Sequence, residues 1–572
     1  KYFIVKGCTK EDLTRQYLVG YYIEKEGADI SPEYLKREMQ KNVPSYMVPQ
    51  YFVKMESFPL NANNKIDRKS LLPPDSKSGR SEYAAPETAL QQSLCEAFSK
   101  VLGIDRIGLD DDFFLLGGDS IRAIQLQQTF NKDSRNSEFG VLGTGIINLG
   151  RTPRKISVLF GDAEDFDFTE QEDYPLYSSQ ETYVKISVAK PDKPVGVLAN
   201  AYKLDNSIDM ERLALAIDSV VSGHKGFGIR VIRKESGEFR QKFVEPAKLA
   251  VERMDEQQLQ SAIEEIRQAR SVIESPLYEI RLIETPEGKY LLSRFHHSIC
   301  DGSSMEVFQR DVTLAYDGEA FPEEEWSQFN VAQAEQSFRS SSLNAVAMNW
   351  YKEQYAPIPA DSFPIPDKDD TEIVRAIQFF VLDIAPDELK RAAEQAGVSP
   401  NVYTSTIFAR LLGRYCNRKH VAIEEPYAAR DDYRTQNTFG QLVKGFVLNT
   451  SWENYDTLGE HLTAVKEYMA TAMAYIRADA QSVLPAADYV QFLYQGEKEE
   501  WTIGGKKLES INITAKQPLQ TPMVVHLLIK KNRPEDEEKS VVAMIAFQQN
   551  MYSQELIQKM LKEFSEMLKT GI

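Results

Sequence analysis

Two adjacent histidines, followed by an aspartate and a glycine, are the residues of this sequence best suited to proton transfer. They are His296, His297, Asp301 and Gly302, in the run HHSICDG. An imidazole has a reference pKa near 6.5, so it can accept or donate a proton near neutral pH. A strand-like run at 290–295 precedes the pair, and a helical pattern follows from about 303 to 316. The spacing therefore predicts a strand-to-helix corner whose side chains can face a cleft.

Ser120 is the second candidate for chemistry, in the run LLGGDSI at residues 115–121. The two glycines predict a tight turn, and a serine at the start of a helix can cap it. Apolar residues at helical spacing predict one helix over 87–102 and another from Ser120 to about residue 130. A lone GGxS pattern favours a capping role for the serine.

Lys65 is the third candidate. It follows the turn-forming run NANN at 61–64, in a proline-containing stretch that predicts a rigid loop presenting one lysine. A lysine in such a turn is by itself an ordinary surface residue.

Composition limits the classes of protein that fit these residues. The 572 residues contain 67 Lys and Arg against 85 Asp and Glu, a net charge of −18, which repels phosphate backbones and anionic lipid headgroups. No apolar run approaches the roughly 20 residues that a membrane helix needs. The 4 cysteines form no CxxC pair, so neither a disulfide framework nor a metal site is indicated. We therefore expect a soluble, cytoplasmic protein with no nucleic-acid or membrane partner.

Two breaks in composition divide the chain. Residues 72–82 (LPPDSKSGRSE) are typical of a linker, and residues 162–173 hold seven acidic residues among twelve. The acidic stretch contains Phe166 and Phe168, which could dock on a neighbouring unit. We expect units at 1–74, 83–161, 174–340 and 341–572. Because the chain begins at Lys1 without a methionine or a leader, we interpret it as part of a longer protein.

The second unit resembles the peptidyl carrier proteins of nonribosomal peptide synthetases. The resemblance rests on LGGDSI, on the preceding DDDFF at 110–114, and on the helix some thirty residues upstream. It implies a four-helix bundle in which Ser120 carries covalent 4′-phosphopantetheine. The start of a helix suits a phosphodiester because its free amides and its dipole favour anions. The match weakens at 135–149, which is longer and richer in glycine than the usual third helix.

The remainder of the chain resembles the condensation domains of the same synthetases. HHxxxDG carries the resemblance, supported by YPLYSSQ at 174–180, SPL at 275–277 and GFVLNT at 445–450. It implies two α/β lobes, each like chloramphenicol acetyltransferase, with a tunnel between them. By resemblance His297 faces the tunnel, His296 packs beside it, Asp301 pairs with an arginine to hold the corner, and Gly302 allows the tight turn.

The first unit resembles the small C-terminal subdomain of the adenylation enzymes in these synthetases, which implies a small α+β fold. In that family the lysine matching Lys65 reaches the acyl-adenylate, and Asn64 stands where glycine is usual. The phosphate-binding core of the family is absent from this sequence.

Two departures from the condensation family affect the site. The family run RHExLRT reads GHKGFGI at 223–229, so glycine replaces both arginines, and a late Phe-Asp-Leu element reads KQPL at 516–519. The usual arginine partner of Asp301 is therefore missing, and we expect Arg230 or Arg294 to replace it.

These resemblances predict a fragment of a nonribosomal peptide synthetase that forms amide bonds. The predicted partners are a phosphopantetheinyl transferase, an upstream adenylation core, a downstream acceptor carrier, and aminoacyl or peptidyl thioesters as substrates. The neutral imidazole of His297 would take or share the proton of an attacking amine, whose reference pKa is about 8. The amino acid carried is not encoded here, because the selecting pocket belongs to the adenylation core.

Two alternatives stay open. Epimerization domains share HHxxxDG, but they carry an EGHGRE-like stretch where this chain reads EEPYAAR at 424–430. A non-catalytic docking platform is the other alternative, although such platforms generally lack the second histidine. Heterocyclization is disfavoured because those domains replace HHxxxDG with a DxxxxD pattern.

Overall fold

The computed structural model describes most of the chain beyond residue 82 and short stretches before it. The described residues are 2–9, 16–24, 35, 39, 49, 51–55, 57–59, 66–67, 71, 83–116, 118, 120–139, 142–161, 168, 170–371, 374–453, 455–485, 487–497, 500–511, 513, 521–531 and 538–571.

The first unit contains a three-stranded sheet in the order β1-β2-β3. Its strands are β1 (Tyr2–Thr9), β2 (Gln16–Ile23) and β3 (Tyr51–Lys54). β2 runs antiparallel to β1 and parallel to β3, and it confirms the strand predicted at 17–23. Val19 and Tyr21 on β2 pack against Leu71 in a small core. Lys65 lies outside the described residues, as does nearly all of the helix predicted at 31–41.

Residues 83–161, called the carrier unit, form a bundle of four α-helices. These are α1 (Ala89–Leu102), α2 (Ser120–Asn131), α3 (Thr144–Gly150) and α4 (Pro153–Gly161), with a 3-10 helix at Ser134–Phe139 before α3. Thr88 caps α1 by accepting a hydrogen bond from the Gln91 amide, and Gly103 ends it at a φ of +68°. Leu94 and Phe98 face the core because they are four residues apart on one face. The irregular stretch expected at 135–149 is the 3-10 helix and the short α3.

The N-lobe, residues 174–340, is built on a five-stranded sheet in the order β17-β5-β10-β9-β8. A smaller sheet, β4-β7-β6, packs beside it. Its elements are β4 (Tyr174–Pro175), α5 (Ser178–Ala189), β5 (Val197–Leu204), α6 (Met210–Gly223), a 3-10 helix (Lys225–Gly228), β6 (Ile229–Arg233), β7 (Phe239–Phe243), β8 (Val251–Arg253), α7 (Glu256–Glu265), β9 (Tyr278–Thr285), β10 (Gly288–His296), α8 (Gly302–Asp317) and α9 (Gln328–Arg339).

The C-lobe, residues 341–572, is built on a six-stranded sheet in the order β11-β19-β18-β14-β12-β13. Its elements are α10 (Ser342–Tyr355), β11 (Arg375–Val381), α11 (Pro386–Gln395), α12 (Pro400–Cys416), β12 (His420–Tyr427), a 3-10 helix (Tyr433–Thr435), β13 (Lys444–Ser451), α13 (Leu458–Ala474), a 3-10 helix (Ala480–Val483), β14 (Val490–Glu497), β15 (Thr502–Ile503), β16 (Lys506–Lys507), β17 (Glu509–Ile511), β18 (Met523–Lys531), β19 (Lys539–Gln548) and α14 (Gln554–Thr570).

A strand from the C-lobe sequence completes the sheet of the N-lobe. β17 pairs antiparallel with β5, and Ile503 just before it is fully buried in the N-lobe core. The two lobes are therefore joined both by backbone pairing and by apolar packing.

The acidic linker is also docked at one point. The ring of Phe168 makes an edge contact with Trp326, with ring centroids 5.1 Å apart. The Arg434 guanidinium covers the Trp326 ring at 3.8 Å. This contact agrees with the docking role expected for Phe168; Phe166 lies outside the described residues.

Among the described residues, no helix has both the length and the apolar character needed to cross a bilayer. The same part of the chain brings together no group of three or more His, Cys, Asp or Glu side chains that could hold a metal ion.

Candidate functional site

The histidine motif lies at the corner predicted from the sequence, between β10 and α8. β10 places Phe295 in the N-lobe core, where Ile299 and Phe308 are also fully buried. Because side chains alternate along a strand, His296 points to the opposite face of the sheet. His297 is the first residue after β10, and its amide donates a 2.6 Å hydrogen bond to the carbonyl of Gly196. Burial of the flanking residues thus fixes where the second histidine leaves the strand.

His297 is partly exposed as a residue, and its imidazole stacks on the ring of Tyr183 from α5. The two ring centroids are 4.3 Å apart and the ring planes differ by 5°. Nδ1 of His297 has no hydrogen-bond partner among the described residues. Burial lowers the pKa of His297 below its ordinary value of 6.5, although Asp301 and Gln441 favour the charged form. The ring is therefore neutral at pH 7 and able to accept a proton.

His296 is held on both ring nitrogens. Its Nε2 lies 2.9 Å from the Ser187 hydroxyl and its Nδ1 lies 2.7 Å from the Ser298 hydroxyl. The residue is 2% exposed, and burial lowers its pKa to about 3. His296 is thus a neutral, fixed side chain, which agrees with the packing role expected for it.

Asp301 caps α8 and ties the two lobes together. Its Oδ1 accepts hydrogen bonds from the amide and the hydroxyl of Ser304, at 2.8 and 2.9 Å. Its Oδ2 accepts from Arg430 at 2.9 Å and from the amide of Leu442 at 2.9 Å. Burial alone would raise the pKa of this carboxyl, but Arg430 and the amides outweigh it and hold the pKa below 3.8. The carboxylate is ionised, and its bonds hold it at the lobe junction.

The arginine expected beside Asp301 is present, but the predicted candidates are wrong. The guanidinium of Arg230 donates to the carbonyls of Phe227 and Ile229 at 3.4 and 2.9 Å. Arg294 lies on β10 with His296, facing away from the core that holds Phe295, and it is 3% exposed. Arg430, three residues after β12 in the C-lobe, supplies the pairing instead.

Close packing explains why glycine fits the positions where the family has arginine. A Cβ atom on Gly228 would lie 2.2 Å from the ring of Phe243. A Cβ atom on Gly223 would lie 3.0 Å from the ring of Phe321. Side chains at these positions would have to displace the neighbouring rings, so glycine fits the N-lobe as it is packed here.

A cavity of about 350 Å³ lies between the lobes next to His297. Its walls come from α5, the stretch from Gln441 into β13, β12, β14, β18 and the 3-10 helix after α13. The lining residues are Ser178, Ser179, Thr182, Tyr183, Ile186, Glu424, Pro426, Gln441, Val443, Lys444, Gly445, Ala478, Asp479, Ala480, Gln481, Gln491, Thr521 and Val524. Tyr183 and Gln441 both interact with His297. Two residues of the cavity wall thus also contact the neutral imidazole.

Ser120 is the first residue of α2, as predicted. The turn before it is tight: the Gly118 amide donates to the Phe113 carbonyl at 2.8 Å, and a Cβ atom on Gly118 would lie 2.3 Å from the Phe113 ring. The first turn of α2 contains no acidic residue. A glycine-dependent turn followed by a helix whose first turn contains no acidic residue fits a phosphodiester on Ser120.

The carrier unit contacts the C-lobe through α2 and α3. Gln127 on α2 donates a 3.1 Å hydrogen bond to the carbonyl of Asp431, the residue after Arg430. α3 packs on the end of α13, where a Cβ atom on Gly145 would lie 2.7 Å from the Cα of Ala474. A second cavity, of about 120 Å³, lies where Gly145 meets Ala474. Lys444 lines both this cavity and the 350 Å³ cavity. The carrier unit is therefore docked on the C-lobe, at a cavity that adjoins the 350 Å³ cavity through Lys444.

Comparison with protein families decides the class. Residues 170–572 match the family described as Condensation domain, and residues 92–134 match the one described as Phosphopantetheine attachment site. The chain belongs to the condensation-domain family. The second match indicates that 4′-phosphopantetheine is attached covalently to a serine of the carrier unit.

The relatives of this condensation chain are peptide synthetases. It is 26% identical to surfactin synthase subunit 2 of Bacillus subtilis over 478 residues, which cover 80% of this chain and 13% of the relative. It is 27% identical to gramicidin S synthase 2 of Aneurinibacillus migulanus over 478 residues, covering 79% and 10%. The chain thus spans only 13% or less of the length of these two proteins.

Solved structures establish the fold of the two lobes. The X-domain in its complex with OxyB from teicoplanin biosynthesis has a TM-score of 0.59 at 18% identity, covering 71% of this chain and 94% of that one. The first condensation domain of the calcium-dependent antibiotic synthetase, in complex with a substrate analogue, has a TM-score of 0.56 at 17% identity, covering 70% and 96%. The predicted two-lobed condensation fold is confirmed.

Four residues of the condensation site were not identified from the sequence. They are Tyr183, Glu424, Arg430 and Gln441. Arg430 ends the run EEPYAAR at 424–430. A charged residue just beyond an apolar strand was the one signal in the sequence that could have identified it.

The carrier contact predicts an effect of Gly145→Ala. The added Cβ atom has no room against α13, so we expect the carrier unit to undock and condensation from a donor on this chain to slow by about tenfold, because the local concentration of donor falls. Loading of the carrier should be unchanged. The matched control is Gly143→Ala, whose Cβ meets no atom within 4 Å. Equal condensation rates for the two variants, measured by mass spectrometry of the product, would contradict the docking.

His224, in the altered stretch of the N-lobe, predicts a pH effect on stability. Its side chain is fully buried, with Nε2 2.9 Å from Asp311 and Nδ1 3.3 Å from Glu324. Burial alone would lower the pKa of His224, but the two carboxylates outweigh it and raise the pKa to about 9. The stabilisation is therefore complete below pH 6.5 and is lost as pH rises through 9.

We expect the free energy of unfolding of the N-lobe to fall by a few kcal/mol between about pH 7 and pH 10, measured by urea unfolding. A His224→Gln variant should be less stable at pH 7 by about 3 kcal/mol and should lose most of this pH dependence. His420→Gln is the matched control, because it removes a histidine of the C-lobe sheet and leaves the His224 pairing intact. A His224→Gln variant with an unchanged pH profile would contradict the assignment.

Proposed function

We propose that this chain forms an amide bond between a donor acyl group carried on Ser120 and an acceptor amine, at His297. The observation that carries the proposal is the neutral imidazole of His297, stacked on Tyr183 in the wall of the 350 Å³ cavity, which shares Lys444 with the cavity at the carrier contact. 4′-Phosphopantetheine supplies a thioester carbonyl and a thiol leaving group when it is bound. The residues of the chain supply position and proton transfer.

His297 acts on the amine. The amine must be neutral to attack a carbonyl, and an imidazole with a pKa below 6.5 is free to take or share the amine proton at pH 7. The stacked ring of Tyr183 fixes the imidazole plane, and the amide of His297 is anchored to Gly196. His296 and Asp301 position the corner, because each is buried and hydrogen-bonded away from the cavity. Gly302 begins α8 directly after the cap.

The carrier unit of this chain is proposed to deliver the donor. It is docked on the side of the cavity marked by Lys444, which lines both cavities. The proposed partner that presents the acceptor amine is a downstream carrier protein. An upstream adenylation core and a phosphopantetheinyl transferase complete the proposed partners.

A second candidate function is epimerization of the donor at its α-carbon. Glu424 favours it, because a carboxylate lines the same cavity as Tyr183, the residue that stacks on His297. Epimerization would require this carboxylate or His297 to remove the α-proton, and the donor would exchange that proton with solvent.

One experiment separates these functions. The chain is loaded at Ser120 from an aminoacyl coenzyme A by a phosphopantetheinyl transferase, and an acceptor amine is added in deuterated water. Amide product without deuterium at the donor α-carbon is the expected result. Deuterium uptake without product would favour epimerization, and neither signal from a folded, loaded chain would favour the docking platform.

A further inference from the structure

Glu424 is a carboxylate of the interlobe cavity that has no cationic partner among the described residues. It lies on β12 and is partly exposed to the cavity that it lines. Its Oε1 accepts from the Gln481 side chain at 3.4 Å and its Oε2 accepts from the Gln491 side chain at 3.5 Å. Both bonds are long and come from neutral amides. The charge of this carboxylate is therefore incompletely satisfied.

The lysine in the same cavity is already engaged. Lys444 forms an ion pair with Glu335 at 2.5 Å, donates to the carbonyl of Arg477 at 2.7 Å, and lies over the ring of Tyr177. Asp479 adds a second carboxylate to the lining. The described residues that line the cavity with Glu424 therefore provide no cation that pairs with its carboxylate.

Glu424 also lies close to the reacting centre. Burial together with the negative charge of Glu424 raises the pKa of Tyr183 to about 12, and Tyr183 stacks on His297. Space is kept open beside the carboxylate, because a Cβ atom on Gly445 would lie 3.3 Å from its Oε1. Burial raises the pKa of Glu424, which a cation placed beside it would reverse.

We propose that Glu424 binds the α-ammonium group of the donor aminoacyl thioester, so that the chain selects donors with a free amine over N-acylated donors. This inference rests on the proposed function, because it takes the donor on Ser120 to enter this cavity. The ammonium would supply the cation that the cavity lacks and would hold the donor carbonyl near His297. An N-acyl donor would leave the carboxylate without a cationic partner.

Glu425 provides a matched control one residue away. It points to the other side of β12, is 2% exposed, and burial raises its pKa to about 8, so it is a neutral acid at pH 7. Glutamine has the same shape as a neutral glutamic acid. Glu425→Gln should therefore leave the cavity and its charge unchanged, whereas Glu424→Gln removes the charge and keeps the shape.

The first measurement does not require turnover. Ser120 is loaded with a stable amide analogue of an aminoacyl pantetheine, labelled with ¹⁵N at the α-amine, in both enantiomers. We expect NMR titration to give an α-ammonium pKa about 1 unit higher in the wild type and in Glu425→Gln than in Glu424→Gln, because a carboxylate within a few ångströms favours the cation. Equal pKa values in all three proteins, for both enantiomers, would overturn the inference.

The second measurement compares condensation of a free-amine donor with that of its N-acetyl counterpart, at saturating acceptor. The wild type and Glu425→Gln should prefer the free-amine donor by about tenfold or more, and Glu424→Gln should lose that preference. A wild-type chain that uses both donors equally would overturn the inference while leaving the proposed function in place. A wild-type chain that condenses neither donor would overturn the proposed function, and the NMR titration would still decide for or against Glu424.

Discussion

Replacing His297 with alanine is expected to slow amide formation by about 10²- to 10⁴-fold, the span typical of a positioned acid or base. The imidazole is neutral and stacks on Tyr183, which lines the cavity. Its loss would leave the attacking amine without a group to take its proton. The measurement is the single-turnover rate of amide product from a donor on Ser120, followed by mass spectrometry. Loading of Ser120 should be unaffected, since the carrier unit has its own core.

His296→Ala is the matched control for this variant. It removes an imidazole whose two nitrogens bond the Ser187 and Ser298 hydroxyls, so we expect lower stability or expression. The protein that does fold should retain most of its rate. Unchanged product formation in a folded His297→Ala variant would contradict a proton-transfer role. Loss of α-proton exchange without loss of product would instead indicate an epimerase site.

The histidine corner could be predicted from the sequence because its determinants are local. An apolar strand, two histidines, a cap and a helix follow one another within residues 290–316, and hydrophobic alternation fixes which side chain enters the core. The same holds for the carrier unit, where a glycine turn and a helix start at Ser120 are adjacent in sequence. Local patterns therefore located His297 and Ser120 together with the elements that position them.

The partner of Asp301 could not be predicted in this way. Arg430 lies 129 residues further along the chain and in the other lobe, and the two meet only because the lobes close on each other. Periodicity describes neighbours within one element and contains no information on which distant element covers it. The prediction of Arg230 or Arg294 chose a cation directly after the altered run at 223–229 and a cation on the strand that carries His296. Buried carboxylates are paired by whichever cation the tertiary fold supplies.

The cavity residues were missed for a related reason. Tyr183 lies on a helix with little amphipathic character, and Glu424 lies in a strand whose other residues are largely buried. From the sequence alone, a carboxylate in such a strand is predicted to be a surface residue. The fold shows that another lobe faces it. Its relation to His297 appears only when α5 and β12 form opposite walls of one cavity.

Ser120→Ala is expected to abolish attachment of phosphopantetheine and with it all condensation from a donor on this chain. The reason is chemical: the hydroxyl is the only group at the start of α2 that can form the phosphodiester, so alanine leaves no nucleophile at this turn. The measurement is intact mass after treatment with a phosphopantetheinyl transferase and coenzyme A. Ser93→Ala, a substitution of the same type within α1, should load as the wild type does.

The loading result for Ser120→Ala is informative only if the turn before residue 120 keeps its structure in the variant. Gly118 and Phe113 shape it through a backbone hydrogen bond that does not involve the serine side chain, so the Ser120→Ala bundle should stay folded, which its amide NMR spectrum would show. Ser120→Asp is a second test, because it keeps an acceptor at the helix start, where a negative charge is favourable, and still lacks the hydroxyl. A mass gain on either folded variant would place the cofactor on another serine. If neither Ser120→Ala nor Ser120→Asp gains the mass of phosphopantetheine while Ser93→Ala loads normally, the cofactor is attached to Ser120. The hydroxyl of Ser120 is then the feature that separates the variants that load from those that do not.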